Sequence, residues 1–238
     1  MPVDVCRLGT IETLWGRMIA PADHQHNVCA ELLNVMEECA AGALIALLVL
    51  QPADWLTWEG TLNQVAAPEV VLARWADALP PGWVGIPMHH PDTHLSEALE
   101  SSLAAAFPNL KPLPPHLSTN TAEWALAAAD AVVTVSSTVA ASALIAGKHV
   151  VVAPRSAFSG LASTSVESLQ EPTPSLSRTQ RAALLSFLSH RYSLPMASAL
   201  NAGGSLMAHL EALVAAPDAL EWLLDLTDWS PSHLESLI

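Results

Sequence analysis

Three short polar groups in this chain follow apolar runs, and each could do chemistry. Ser136-Ser137-Thr138 follows Ala131-Val132-Val133-Thr134-Val135 and precedes the helical stretch Thr138 to Ala146. His90-Pro91 follows Trp83 to Met88, and Gln51-Pro52 follows Leu44 to Leu50. Hydroxyls at the start of a helix lie beside unpaired N–H groups and the positive end of the helix dipole. That setting suits an anion, above all a phosphate. A histidine adds a donor and, when protonated, a charge. The simpler reading of the turn is that Ser136 or Ser137 caps a helix.

The elements that position these groups alternate. Residues 44–50 form a continuous apolar run of the kind that suits a strand buried on both faces. Pro68 to Leu79 has helical spacing, with Pro68 at the start and Val71, Leu72, Trp75 and Leu79 on one face. Pro80-Pro81-Gly82 ends it, and Trp83 to Met88 is a short strand. Leu95 to Phe107 is a second amphipathic helix, and Asn109 to Leu113 is a further candidate strand. Asn120-Thr121-Ala122-Glu123 has the form of a capping box opening a helix that ends near Asp130. Ala131 to Val135 is a strand, Thr138 to Ala146 a helix stopped by Gly147, and His149 to Ala153 the next strand.

Such alternation predicts an α/β fold with a Rossmann-like parallel sheet and flanking helices. Ligands in these folds bind outside the carboxyl ends of the strands. Those ends carry Gln51, His89-His90-Pro91, Ser136-Ser137-Thr138 and Pro154-Arg155-Ser156. Residues 159–177, rich in Ser, Thr and Pro, are expected to be an ordered loop or a mobile lid. Arg178 to Tyr192, Ser205 to Ala215 and Asp218 to Leu226 read as helices. Three regions follow: an N-terminal helical or irregular segment (1–43), a Rossmann-like domain (44–177) and a helical tail packed on it (178–238).

Composition narrows the partners. Of 238 residues, 51% are hydrophobic and 13% charged, enough apolar material for a sizeable core. The formal charge is -14 with nine Lys and Arg, so a basic nucleic-acid face can hardly be built and no nucleic-acid partner is expected. Cys6, Cys29 and Cys39 have no metal-type spacing, and the start MPVDVCRLGTIETLW lacks the signal-peptide pattern. A cytoplasmic location is expected, with peripheral association to the inner membrane as a variant. The apolar run Ala40 to Leu50 is about half of the roughly 20 residues a membrane span needs.

Other motifs point away from other chemistries. His89-His90-Pro91-Asp92-Thr93-His94 lacks the HxHxDH spacing of metallo-β-lactamase-like hydrolases, and no metal or other cofactor is expected. His89 itself reads as an ordinary, partly exposed histidine. There is no G-x-S-x-G elbow, no G-x-G-x-x-G after a strand and no P-loop. Lys148 reads as a helix C-terminal cation. Of the eight tryptophans most suit core packing, while Trp55 and Trp58, after the first strand, are candidate ligand contacts.

In their joint order these segments resemble the capsule polysaccharide biosynthesis proteins, which include Kdo transferases of the GT-B glycosyltransferase type. Leu50-Gln51-Pro52-Ala53-Asp54 looks like the family's "LQ…D" strand end. Leu79-Pro80-Pro81-Gly82 with His90-Pro91 is similar to its "lP…HP" element. Ala129 to Val139, with Ala143-Leu144 and Gly147-Lys148, resembles "aDaVvtvnSTvglEALl.GkpV". Ser159-Gly160-Leu161 resembles the small-residue segment after the next strand. The likeness covers about residues 44–165.

The resemblance implies the donor-binding half of a GT-B enzyme, taking a nucleotide-activated sugar of the CMP-Kdo type for transfer to a surface glycan. It places nucleotide or phosphate contacts at His90, Ser136, Ser137 and Thr138, to which the sheet-edge argument adds Gln51. No catalytic residue is assigned. The family's Gly and Glu after the Ser-Thr turn are Ala140 and Ser142 here, and the proline of its "GkpV" is His149. Some 40 residues precede the first strand, too few for an acceptor domain. The partners expected are therefore the donor, a glycan acceptor and a separate acceptor-domain polypeptide. The alternatives are a non-catalytic or truncated capsule-assembly protein that keeps the fold, and an unrelated phosphate-handling α/β enzyme.

Overall fold

The computed structural model describes residues 26–52, 67–171, 176–187 and 230–231. Four parallel strands form one sheet: β1 (Leu44–Val49), β2 (Trp83–Met88), β3 (Ala131–Thr134) and β4 (His149–Val151), in the order β2-β1-β3-β4. Around them lie α1 (His26–Ala40), α2 (Pro68–Ala78), α3 (Glu97–Ala106), α4 (Pro115–Ser118), α5 (Ala122–Ala125), α6 (Val139–Ile145), a 3-10 helix (Val166–Gln170) and α7 (Arg178–Phe187). The fold is thus the expected Rossmann-like α/β class.

The central strand shows why both faces must be covered. Ile45, Leu47 and Val49 join one core cluster, with Leu32 and Met36 of α1, Leu144 of α6 and Leu184 of α7. Ala46, Leu48 and Leu50 join another, with Leu72 and Ala76 of α2 and Val166 and Leu169 of the 3-10 helix. Alternate residues of one apolar run therefore feed two cores, and helices on both faces bury them.

Neither outer strand presents a bare edge. Gly85 of β2 donates to Asn109 O and accepts from Lys111 N–H, and Val152 and Ser163 bond beyond β4. Irregular chain thus covers ladder groups that would otherwise invite pairing with another molecule. Gly85 also faces close neighbours: an added Cβ would stand 2.6 Å from Leu48 Cδ1 and 2.9 Å from Leu79 Cδ1.

Several sequence expectations are corrected. Asn109 to Leu113 is not a strand; it contributes a single bridge, Leu110 to Gly85. The Asn120 capping box does not form. Asn120 has φ 57°, a left-handed conformation, where an N-cap needs extended backbone. The helix after it ends at Ala125, and Thr121 Oγ1 donates back to Leu117 O. The second amphipathic helix is shorter than expected; Ser96 caps it by accepting from Leu99 N–H. Of the two expectations for residues 159–177, the described part fits the ordered loop: it holds the 3-10 helix, with Val166 and Leu169 buried against the sheet.

Gly147 stops α6 as expected, at φ 74°. Lys148 N–H bonds Ala143 O and Gly147 N–H bonds Leu144 O, the two bonds of a Schellman motif. Lys148 Nζ serves a different carbonyl, Ala129 O, at 2.7 Å. Arg181 of α7 donates to Ile145 O at 3.1 Å and thereby ties α7 to the end of α6. Residue 188 and the helices expected at 205–215 and 218–226 lie outside the described residues, as do Trp55, Trp58 and Cys6.

Candidate functional site

The strand order decides where a ligand fits. The chain leaves β1 toward β2 on one side, then crosses back to β3 on the other. The crevice opens at such a reversal, here between the carboxyl ends of β1 and β3. Val49 pairs with Met88 on one side and Thr134 on the other. Gln51, His90 and Ser136 each lie two residues beyond that rung, so the register brings them to one level of one edge.

Two hydrogen bonds lace the reversal point together. Thr134 Oγ1 donates to Val49 O at 3.0 Å, and Gln51 Oε1 accepts from Ser136 N–H at 2.8 Å. At the opposite end Asp130 Oδ2 accepts from Ile45 N–H at 2.8 Å, which fixes the β1–β3 register from below.

The Ser-Ser-Thr turn differs from the expected open nest of amides. Ser136 N–H is held by Gln51, Ser137 N–H by Thr134 Oγ1 at 3.4 Å and Val139 N–H by Ser137 Oγ at 3.3 Å. Ala140 N–H bonds Ser137 O. Thr138, the residue before α6, makes no side-chain cap, and α6 spans only seven residues. The capping hydroxyl is Ser137, which accepts through Oγ and so keeps its O–H to donate. The turn offers side-chain donors more than backbone ones.

His90 is half-buried, in a tight turn closed by Thr93 N–H to His90 O at 3.0 Å. Its Nδ1 accepts from Asp92 N–H at 3.1 Å, which assigns the proton of the neutral ring to Nε2. Asp92 Oδ2 stands 3.6 Å from the same ring nitrogen. Arg155, at a strand end but not among the expected phosphate contacts, is exposed two residues past Ala153, whose N–H bonds Val135 O. The Ala153–Val135 bond places Arg155 on the same sheet edge as the Ser136-Ser137 turn. Its place after the fourth strand was the available signal.

His89, expected to be partly exposed, is instead buried, and its Nε2 lies 2.7 Å from Glu100 Oε1 of α3, itself buried. The bond engages His89 with α3, and His90 is the less buried of the two adjacent histidines. His94, 5.9 Å from His89 between ring centroids, bonds Thr119 Oγ1 through Nδ1. Among the described residues no three His, Cys, Asp or Glu side chains gather as a metal site. No helix of the described residues is long and apolar enough to cross a membrane.

His149 opens β4, buried, with Nε2 3.3 Å from both Ser163 Oγ and Ser168 Oγ. Burial pushes its pKa below the ordinary 6.5, against a smaller upward pull from Glu171. The unfolded chain takes up a proton as pH falls through about 6.5, while the folded chain resists. Stability from this residue is therefore full above that pH and is lost as pH falls toward the lowered folded value. Urea midpoints at pH 7.5, 6.5 and 5.5 should fall less in His149→Gln than in the parent. Equal slopes would show that His149 is not responsible.

No protein-family model matches the chain, and no curated protein matches it. Among solved structures, the N-terminal domain of Candida albicans trehalose-6-phosphate phosphatase is similar at 11% identity with a TM-score of 0.36. That match covers 67% of this chain and 41% of the other, so the chain corresponds to less than half of it.

Proposed function

We propose that this chain binds a nucleotide-activated sugar at the carboxyl edge of its sheet, as the donor-binding part of a capsule-type glycosyltransferase. The observation that carries the reading is the convergence of Gln51, His90 and Ser136 at one level beside the β1–β3 reversal. His90, the Ser137 hydroxyl and Arg155 supply donors and charge for a phosphate. The same groups would stabilise the nucleotide phosphate as it leaves. The donor class, CMP-Kdo, comes from the sequence resemblance, and the acceptor would be a growing surface glycan.

A second reading is a binding or assembly protein that keeps the fold without transferring sugar. Ser142 favours it. The position where the resembling family has glutamate is 1% exposed here, and its hydroxyl donates to Glu123 Oε1 at 2.9 Å. It is turned into the helix layer and engaged there.

Calorimetric titration with CMP tests the shared part of both readings. Binding is expected, and His90→Ala and Ser137→Ala should each weaken it by about 1–3 kcal/mol, the range for hydrogen bonds to a charged group. No heat at millimolar CMP, UMP or other nucleotides would sink the nucleotide reading. Turnover of a CMP-sugar by this chain alone would decide against the assembly protein.

A further inference from the structure

The nucleotide reading leaves open what the ligand meets at the reversal point itself, where the Ser136 amide is already taken. That amide is a donor, so the Gln51 carboxamide has only one workable orientation: oxygen toward Ser136, nitrogen away. The carboxamide is planar and its far end is fixed by that choice. Gln51 is 6% exposed, yet Nε2 makes no hydrogen bond among the described residues. A buried carboxamide with one end tied and the other unpaired has a donor in waiting.

Resting on the nucleotide reading, we infer that Gln51 is the residue that sets ligand specificity at this point. Its carboxamide passes the donor of Ser136 N–H outward, so that the ligand meets an NH2 group instead of the backbone amide. The ligand atom seated there must be a hydrogen-bond acceptor, such as a phosphate oxygen or a pyrimidine carbonyl. A hydroxyl or amine that could only donate is disfavoured, because it would leave Nε2 unpaired. This also explains why a turn with so few open backbone amides can still serve an anion: the donor is present, moved one side chain outward.

Gln51→Glu separates the two jobs of the residue. A carboxylate keeps the shape and still accepts from Ser136 N–H, so the strut between β1 and β3 survives. Its second oxygen, however, turns the outward donor into an acceptor that repels the ligand oxygen. The probe is CMP, by calorimetry. The expected result is CMP binding by the parent chain and binding weaker by about tenfold or more in folded Gln51→Glu, whose melting temperature falls because a carboxylate replaces a neutral amide at a buried position. A second readout needs no variant: in the labelled wild-type chain the Gln51 side-chain NH2 resonances should shift as CMP is added. Wild-type-like affinity in a folded Gln51→Glu, or NH2 resonances unmoved at saturating CMP, overturns the role of Gln51 and leaves the nucleotide reading standing. Failure of the wild-type chain to bind any nucleotide overturns both.

Discussion

Replacing His89 by alanine is expected to lower the unfolding free energy by about 3–5 kcal/mol, although the residue takes no part in the proposed site. Glu100 is the one buried residue of α3, and His89 Nε2, at 2.7 Å, is its only side-chain partner among the described residues. Without the ring, a carboxyl group stays in the interior with no donor, beside a cavity where the imidazole stood. The variant His89→Leu/Glu100→Leu should recover much of the loss, because an apolar pair removes both polar groups together. Urea unfolding of the two single variants and the double gives the coupling between them. If each single variant costs less than about 1 kcal/mol, the pair behaves like an exposed one and the buried contact is wrong.

The pair bears on the site indirectly. His89 and His90 are adjacent, and the bond to Glu100 anchors α3 across the turn that presents His90. His89 N–H also bonds Ser118 O at 2.7 Å, so the end of β2 is held from two sides. A loosened His89 should therefore blur the position of His90 before the sheet itself opens.

Most of the sheet was readable because its strands are buried on both faces. Short continuous apolar runs such as Leu44–Val49, bounded by breakers, suit strands buried on both faces, and Pro80-Pro81-Gly82 and Gly147 mark the neighbouring ends. The edge residues were readable for the same reason, since polar groups after such runs must lie at a strand end. What escaped depended on contacts distant in sequence or on backbone conformation. Nothing in the helix Leu95 to Phe107 singles out Glu100, and only the fold places it against His89. Asn120 fitted a capping box by type, but its left-handed φ removes the geometry that the motif needs. The Ser-Ser-Thr turn looked open because nothing local shows that Gln51, 85 residues earlier, fills its first amide.

Placing at Ser142 the glutamate of the resembling family is expected to destabilise the chain by about 3–5 kcal/mol or to prevent folding. Position 142 lies in α6 between Ala140, Ala141 and Ala143, all buried, so three added heavy atoms have nowhere to go. The new carboxylate would also meet Glu123, which now accepts from the Ser142 hydroxyl at 2.9 Å. Two carboxylates so close, one of them at a buried position, cannot both stay ionised cheaply. Ser142→Glu/Glu123→Ser moves the carboxylate to the other helix and should regain part of the loss. Urea midpoints of parent, single and double variants give the comparison. The outcome bears directly on function. A family glutamate that contacts a donor must face the crevice, and at such a position Ser142→Glu would be tolerated and would strengthen CMP binding. A large loss of stability without any gain in binding means that this chain uses position 142 to pack α6 against α5. The donor contacts would then have to come from Gln51, His90, Ser137 and Arg155 alone, which favours a binding protein over a transferase.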